Sequence, residues 1–230
     1  MAEYHLTAPL KDEDVTKLRI GDTVYLSGPC FTCRSKLQRY VFDEGHTLPF
    51  TPEPGSVLIH NGPIVVRADL PEDASPEEAE KLAFDKNGPW KLMSFMPTSS
   101  IRFEKWGAAS IRDWNLKLIC GKTTMGPETA EAMKKYKCVH VSPQSVSPLL
   151  WIDSIEVESV DLYQEMGSIE APWHFQLREL GPFVVDMDCE GNNYFDGIEE
   201  QVYANRQQAY ADLGIPEDFK YTRLYDNAGQ

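Results

Sequence analysis

Three predicted turns at strand ends combine hydroxyl side chains with a basic residue, a combination suited to binding an anion. The side chains concerned are Thr32 and Arg34 in the first turn, Thr98, Ser99, Ser100 and Arg102 in and just after the second, and Lys122, Thr123 and Thr124 in the third. Arginine binds a carboxylate through two parallel hydrogen bonds, and lysine supplies a compact positive charge. The three turns together therefore suit a small substrate that carries two carboxylates.

The same residue types also have a simpler explanation as helix caps, because serine and threonine commonly cap helix N-termini. The basic residues favour a ligand, since a cation at a helix N-terminus opposes the helix dipole unless an anion is present. A nucleotide-binding P-loop does not explain Lys122, because that motif needs a glycine at the position of Leu116. Capping and anion binding both stay open on these residues alone.

Cys30 and Cys33 form a C-x-x-C pair beside Arg34. A structural zinc ion takes four ligands and an iron–sulfur cluster three or four thiolates, whereas the other cysteines and the histidines are scattered along the chain. A thioredoxin-like redox pair follows a strand at a helix start, as this one does, but the remaining order of elements does not match that fold. We interpret the pair as thiols packed in a tight turn, with metal and redox roles as alternatives.

Histidines and aspartates within predicted strands are interpreted as structural. His60, His140 and His174 lie among strand residues, where most histidines are hydrogen-bonded packing groups. Asp186 and Asp188 alternate along a strand and share a face. They could form a paired-carboxylate site, but we favour a polar sheet edge.

The elements that carry the three turns are predicted to alternate between strands and helices. The segments WKLMSF, LKLICG and CVHVS have strand composition and are separated by the helical segments IRFEKWGAASIRDWN and PETAEAMKKYK, an order typical of parallel βαβ units. Upstream, TVYLSG predicts a strand, a helix is expected to open near Arg34, and Asn61-Gly62 predicts a hairpin between two short strands. Ligands of such α/β sheets bind beyond the carboxyl ends of the strands, where the turns are expected.

We predict one α/β domain over residues 1–196 and a C-terminal helix and tail over residues 197–230. A capping-box pattern that begins at Ser75 predicts a short helix through Ala83. The segments VESVDLYQ, WHFQLREL and FVVDMD predict further strands, and IEEQVYANRQQAYADL predicts the C-terminal helix.

Composition limits the partners of this chain. It has 230 residues and a formal net charge of −14, and a surface this acidic repels nucleic acid and anionic lipid. The first residues lack the order of a signal peptide, no apolar stretch is long enough to span a bilayer, and the five cysteines are read as reduced thiols. We expect a cytoplasmic protein with a small-molecule substrate and no nucleic-acid or membrane partner.

Six motifs, taken in order, resemble the β subunit of the iron–sulfur hydro-lyases, which are the class I fumarases and L(+)-tartrate dehydratases. The motifs are LRIGDTVYLSG, FTCR, NGP, PTSSIR, LICGK and FVVDMDCEGNNY. The resemblance implies a swivelling β/β/α domain with parallel βαβ units that joins an α subunit, as part of a homodimer or heterotetramer. It also implies reversible dehydration of a 2-hydroxy dicarboxylate of the malate/fumarate or tartrate type. A [4Fe–4S] cluster held by the α subunit would act as a Lewis acid on the substrate hydroxyl.

The resemblance further implies roles for individual residues. Thr98 is expected to accept the proton that leaves the substrate carbon, and Lys122 to support it, because a hydroxyl is a poor base unless a nearby cation lowers its pKa. No metal ligand is expected in this chain. The expected substrate-binding residues are Arg34, Thr32, Ser99 and Arg102.

The sequence after the FTCR motif departs from the family pattern. Arg34 is followed by Ser35-Lys36-Leu37-Gln38, where the family has D-x-x-H. The alternative function is therefore a stand-alone dicarboxylate-binding or regulatory protein of the same fold that has lost the hydro-lyase chemistry. A zinc- or cluster-binding protein that uses Cys30 and Cys33 is a further alternative.

Overall fold

The protein is described by a computed structural model that covers residues 1–71, 73–78, 87–144, 147–216 and 218–220. The chain divides into two compact units, Met1–Tyr194 and Phe195–Gln230. The first unit has a mixed α/β architecture with parallel and antiparallel strands. No helix among the described residues is long and apolar enough to cross a membrane.

Seven strands of the first unit form one sheet. They are β1 (Glu3–Thr7), β2 (Thr23–Cys33), β3 (Ser56–His60), β6 (Leu116–Cys120), β7 (Val139–Pro143), β8 (Ile155–Val160) and β9 (Trp173–Met187). Their order in the sheet is β1-β2-β3-β6-β7-β9-β8. The neighbours β2 and β3, β3 and β6, and β6 and β7 are parallel, whereas the long strand β9 runs antiparallel to β7, β8 and β2. Strands β2, β3, β6, β7 and β9 therefore form a closed ring of pairings.

The remaining described elements are two shorter strands, helices and short helical turns. Strands β4 (Ile64–Arg67) and β5 (Trp90–Ser94) form a separate antiparallel pair. The helices are α1 (Asp12–Val15), α2 (Ser35–Gln38), α3 (Glu104–Asp113), α4 (Pro127–Tyr136), α5 (Tyr163–Met166) and α6 (Tyr194–Asp212). A π-helical turn at Arg39–Asp43 follows α2, and 3₁₀ turns occupy Ser100–Phe103 and Ile152–Ser154.

Strand β2 continues past the Gly28-Pro29 break at which the sequence predicted it to end. It pairs with β1 up to Ser27 and with β3 from Phe31, so the proline lies where the strand changes parallel partners. Gly28 has a φ of +92°, and a bulge in the pairing with β9 lies beside it. Cys30 and Cys33 consequently lie on a buried strand, and the prediction of a tight turn at this pair was wrong.

The predicted hairpin at Asn61-Gly62 is not formed. Strand β3 is bounded on both sides by the parallel strands β2 and β6, and β4 pairs with β5 instead. The apolar run Val57–Ile59 is fully buried, as is usual for a central strand of a parallel sheet. Asn61 and Gly62 therefore leave the carboxyl end of a central strand.

Of the two predicted βαβ motifs, one was predicted correctly and the other was wrong. Strands β6 and β7 are parallel and joined by α4. The segment WKLMSF forms β5, which belongs to the small antiparallel pair and not to the main sheet. The two predicted segments WHFQLREL and FVVDMD form the single strand β9, and part of the predicted helix through Ala83 lies outside the described residues.

Candidate functional site

Two of the three predicted turns are joined directly through their backbones. The Thr98 N–H donates to the carbonyl of His60 at 2.6 Å, which attaches the second turn to the end of β3. The Lys122 N–H donates to the Thr98 carbonyl at 2.9 Å, and the Ser100 N–H donates back to the Lys122 carbonyl at 2.8 Å. The second and third turns thus lie side by side beyond the carboxyl ends of β3 and β6.

Gly121 allows this close approach of the two turns. A Cβ at this position would lie 1.9 Å from Ser100 Oγ and 3.1 Å from the Thr98 carbonyl oxygen. Only a residue without a side chain fits here, so the glycine before Lys122 is required by packing against the second turn.

The candidate base and one candidate carboxylate ligand are in contact. The Arg102 guanidinium donates through Nη2 to Thr98 Oγ1, and its Nε lies 3.5 Å from the Ser99 carbonyl oxygen. Thr98 and Ser99 are half-buried, and Arg102 is exposed. A cation beside a hydroxyl favours the deprotonated form of that hydroxyl. Arg102 therefore places a positive charge directly beside the candidate base.

The third turn holds its lysine in a strained loop. Lys122 is half-buried, and in the described part of the chain its Nζ makes no ion pair. Thr123 has a φ of +65°, the left-handed region that a β-branched residue rarely adopts. The Ser142 hydroxyl donates to the Thr123 carbonyl at 2.6 Å and so supports this conformation. Strain of this kind is common at functional sites.

Arg34 lies at the start of α2 with a carboxylate beside it. Its Nε is 3.3 Å from Glu170 Oε1, and Glu170 Oε2 accepts the Lys36 N–H at 2.9 Å. A Cβ on Gly62 would come within 2.7 Å of Arg34 Nη1, so the terminal nitrogens pass over the backbone that follows β3. His60 and Gly62 thereby connect Arg34 with the second turn.

Two of the helix N-termini that could bind an anionic ligand are occupied by carboxylates of the protein itself. Glu170 serves α2, and Glu104 accepts the N–H groups of Gly126 and Thr129 at the start of α4, at 2.5 and 3.1 Å. Capping therefore explains these helix ends. Of the three candidate site cations, Arg34 has a carboxylate partner among the described residues, whereas Arg102 and Lys122 have none.

Thr32 lies inside the protein. It is fully buried, and its Oγ1 accepts the Trp173 N–H at 3.0 Å. This contact joins the end of β2 to the start of β9, two residues before Arg34. Its role as a substrate ligand stays a prediction.

A buried hydrogen-bond chain beside the second turn was missed in the sequence. His60 Nδ1 lies 2.9 Å from Ser100 Oγ, His140 Nε2 lies 2.8 Å from the same oxygen, and His140 Nδ1 lies 2.6 Å from Asp186 Oδ1. Burial holds the pKa of His60 well below its usual value, and the charge of Arg102 lowers it further. Polar residues next to apolar strand residues were the available signal, because buried polar groups need partners.

Asp186 and Asp188 do not act together. Asp188 accepts the backbone N–H groups of Glu190 and Asn192 at 3.0 and 3.2 Å and orders the turn that follows β9. Asp186 contacts His140 and the Ser142 hydroxyl. Both aspartates are buried, so the interpretation as a polar sheet edge was wrong.

The cysteines do not fit an iron–sulfur cluster. All five are buried free thiols, and burial raises the pKa of each. Among the described residues, no three His, Cys, Asp or Glu side chains are grouped as a metal site. Deprotonated thiolates are the groups that bind such clusters.

Comparison with known proteins agrees with this arrangement of motifs. The profile of the family described as Fumarase C-terminus matches residues 1–198. The L(+)-tartrate dehydratase subunit beta of Escherichia coli (strain K12) is 34% identical over 204 residues, which cover 88% of this chain and 90% of that protein. A Geobacillus stearothermophilus protein named "Putative fumarate hydratase class I" is 30% identical over 196 residues, 85% of this chain and 34% of that protein. The chain belongs to the Fumarase C-terminus family.

Proposed function

We propose that this chain is the β subunit of a hydro-lyase that reversibly dehydrates a 2-hydroxy dicarboxylate of the malate/fumarate or tartrate type. The relatives named above are a tartrate dehydratase β subunit and a class I fumarate hydratase. The observation that carries the proposal is the joining of Thr98, Arg102 and Lys122 on two neighbouring turns. The Arg102 guanidinium contacts the Thr98 hydroxyl, Lys122 lies on the adjoining turn, and neither cation has a carboxylate partner among the described residues.

In this proposal the cations bind the substrate and the hydroxyl moves the proton. Arg102 and Arg34 each bind one carboxylate, with Ser99 and Thr32 beside them, which fixes the orientation of the carbon chain. Thr98 Oγ takes the proton from the carbon next to the one that bears the hydroxyl. The C–H and C–O bonds break and a C=C bond forms, so the proton held by Thr98 and the departing hydroxide together make up the water that is lost.

Positive charge is needed at two points of this reaction. Removal of a proton next to a carboxylate places negative charge on that carboxylate, and Arg102 and Lys122 stabilise it. The same charges favour the alkoxide form of Thr98, which is otherwise a weak base. In the reverse direction the Thr98 hydroxyl returns the proton to carbon.

We propose that a [4Fe–4S] cluster is bound by a partner α subunit and not by this chain. The buried, protonated cysteines of this chain do not fit such a cluster. The designation of the Escherichia coli relative as a subunit beta supports a partner. A cytoplasmic location, a homodimer or heterotetramer, the swivelling β/β/α nature of the domain and the bounds 1–196 and 197–230 are further parts of the proposal.

Anaerobic reconstitution tests the proposal. The chain is assayed alone and together with a candidate cluster-bearing α subunit, with malate, fumarate and the tartrate stereoisomers as substrates. Turnover should require both subunits. A loaded complex that turns over none of these dicarboxylates would reject the hydro-lyase assignment.

A stand-alone dicarboxylate-binding or regulatory protein is the second candidate. The structure offers one observation for it: Gln38, at the family's histidine position, is fully buried with Nε2 3.3 Å from Ser110 Oγ. Calorimetry of the isolated chain with small dicarboxylates separates the two functions. Tight binding without any partner would favour the second candidate.

A further inference from the structure

The hydrogen-bond chain formed by Asp186, His140, Ser100 and His60 is the buried polar feature that the proposed mechanism does not use. His60, Ser100 and His140 are fully buried, and Asp186 is 2% exposed. The successive distances are 2.6, 2.8 and 2.9 Å, all within the range of good hydrogen bonds. Burying four polar side chains is costly unless every one of them is hydrogen-bonded.

The hydrogen-bond chain has a definite donor-to-acceptor direction. A carboxylate only accepts hydrogen bonds, so Asp186 requires the proton of His140 on Nδ1. Nε2 of a neutral His140 is then an acceptor and takes the Ser100 hydroxyl proton. The Ser100 oxygen in turn accepts from His60 Nδ1–H, which leaves His60 Nε2 as an acceptor.

The order of these groups matches that of a serine nucleophile with its histidine and aspartate, but the surroundings differ. Ser100 Oγ is shared between two imidazoles and is fully buried, so no substrate carbonyl can reach it. The Gly121 backbone packs against this hydroxyl, since a Cβ at Gly121 would lie 1.9 Å from Ser100 Oγ. A nucleophilic role for Ser100 is therefore excluded by access.

Both ends of the chain attach to the turns that carry the candidate site. At one end, the His60 carbonyl accepts the Thr98 N–H. At the other, the Ser142 hydroxyl contacts Asp186 and the carbonyl of Thr123, the residue after Lys122. In the middle, the Ser100 backbone is bonded to Lys122.

The acceptor end of the chain lies next to the candidate base. Within the described residues, His60 Nε2 and both amide atoms of Asn61 are buried without a hydrogen-bond partner. His60 ends the strand to which the second turn is attached, and Asn61, which follows it, forms a bridge with Pro97, the residue before Thr98. Unpaired buried polar atoms at this point are costly, which favours a role in the reaction over a role in stability.

We propose that Asp186, His140, Ser100 and His60 form a one-directional hydrogen-bond chain that positions Thr98, Arg102 and Lys122 for the reaction. These four are positioning residues, since they act through the two turns and not on the substrate. The inference rests on the proposed hydro-lyase function for its effect on turnover. The direction of the chain does not depend on that function.

The direction is measured by ¹⁵N NMR of histidine tautomers in the full chain. Wild-type His60 and His140 should both be neutral and protonated on Nδ1. Asp186→Asn should reverse the chain, because the asparagine amide donates to His140 Nδ1 and places the protons of both histidines on Nε2. Asp188→Asn, one residue beyond the end of the same strand, is the control and should leave both tautomers unchanged.

Turnover is measured with the same variants in the two-subunit complex. Asp186→Asn should lower kcat by at least about tenfold, with KM changed less than about threefold, since reversal of a catalytic histidine tautomer by such a change costs up to about 10⁴ in serine proteases. If Asp186→Asn does not fold, Ser100→Ala replaces it. Ser100→Ala removes the acceptor that fixes the proton of His60 on Nδ1, so His60 should become a mixture of its two tautomers. It should lower kcat in the same way.

Three results would overturn the proposal: an imidazolium or Nε2–H form of either histidine in the wild type, full kcat in Asp186→Asn with reversed tautomers, or full kcat in Ser100→Ala. A complex without turnover on any dicarboxylate, with both histidines protonated on Nδ1, would reject the hydro-lyase function and leave the direction of the chain supported.

Discussion

At the scale of single residues, the contact between Arg102 and the Thr98 hydroxyl is the feature that best separates Arg102 from an ordinary surface arginine. Arg102 is exposed and has no carboxylate partner among the described residues, although the protein is strongly acidic. Arg112, at the end of the helix that Arg102 precedes, is exposed as well but is paired with Asp113. The two arginines therefore form a natural pair for comparison.

We predict that Arg102→Gln lowers kcat/KM of the two-subunit complex by about 30- to 160-fold, because it removes a charged carboxylate contact worth about 2–3 kcal/mol. Arg112→Gln should change kcat/KM less than about twofold. The comparison is made by steady-state hydration assays. Equal effects of the two substitutions would show that Arg102 has no specific role.

Burial of His60 predicts a pH dependence of stability. Its pKa is lower in the folded protein than in the unfolded chain, so below about pH 6.5 the unfolded chain binds a proton that the folded protein does not. The free energy of unfolding should therefore fall as the pH falls, by up to about 1.4 kcal/mol per pH unit from this group.

Urea unfolding at pH 7.5, 6.0 and 5.0 measures this dependence. His60→Gln should have a smaller slope than the wild type, and His46→Gln, at an exposed position, should keep the wild-type slope. A wild-type slope in His60→Gln would contradict the burial argument.

The basic and hydroxyl residues of the site could be selected from the sequence, whereas their partners could not. Thr98, Arg102 and Lys122 stand out by residue type at predicted turns. The buried chain behind them joins residues 60, 100, 140 and 186. Such contacts depend on the pairing of distant strands, which local patterns do not contain.

At the scale of elements, the junction of the second and third turns depends on one glycine. We predict that Gly121→Ala lowers the free energy of unfolding by about 1–3 kcal/mol or more, because the added Cβ would overlap Ser100 Oγ. It should also lower kcat. Thermal unfolding and hydration assays measure the two effects.

Gly197→Ala serves as the control, since an added Cβ there has no atom within 4 Å and the position lies in a helix. It should be neutral or stabilise by up to about 1 kcal/mol. A Gly121→Ala protein as stable and active as the wild type would show that the two turns are not held as described.

The elements that were predicted correctly were those with strong local patterns, such as the strand–helix–strand unit of β6, α4 and β7. The errors arose where pairing decided the outcome. Asn61-Gly62 has the composition of a hairpin turn, but both edges of β3 are taken by parallel neighbours. The strand β5 has ordinary strand composition, yet its partner is β4. Composition alone could not reveal either partner.

At the scale of the whole molecule, the cysteines predict low thiol reactivity. All five are buried, and burial raises the pKa of each thiol, so few thiolates are present at neutral pH. We predict labelling by a thiol reagent at pH 7.5 that is at least about 100-fold slower than in the urea-unfolded chain. Rapid labelling of two thiols in the folded protein would instead indicate a reactive C-x-x-C pair.

The central claim is that this chain supplies the proton-transferring and anion-binding half of a two-subunit hydro-lyase, and Lys122 tests it most directly. The measurement is the hydration rate of the cluster-loaded complex with Lys122→Ala, compared with the wild type and with Lys105→Ala, an exposed lysine paired with Asp43. The account predicts a loss of at least about 100-fold in kcat for Lys122→Ala, and wild-type activity for Lys105→Ala. A complex that holds its cluster and hydrates at the wild-type rate without Lys122 would contradict the account.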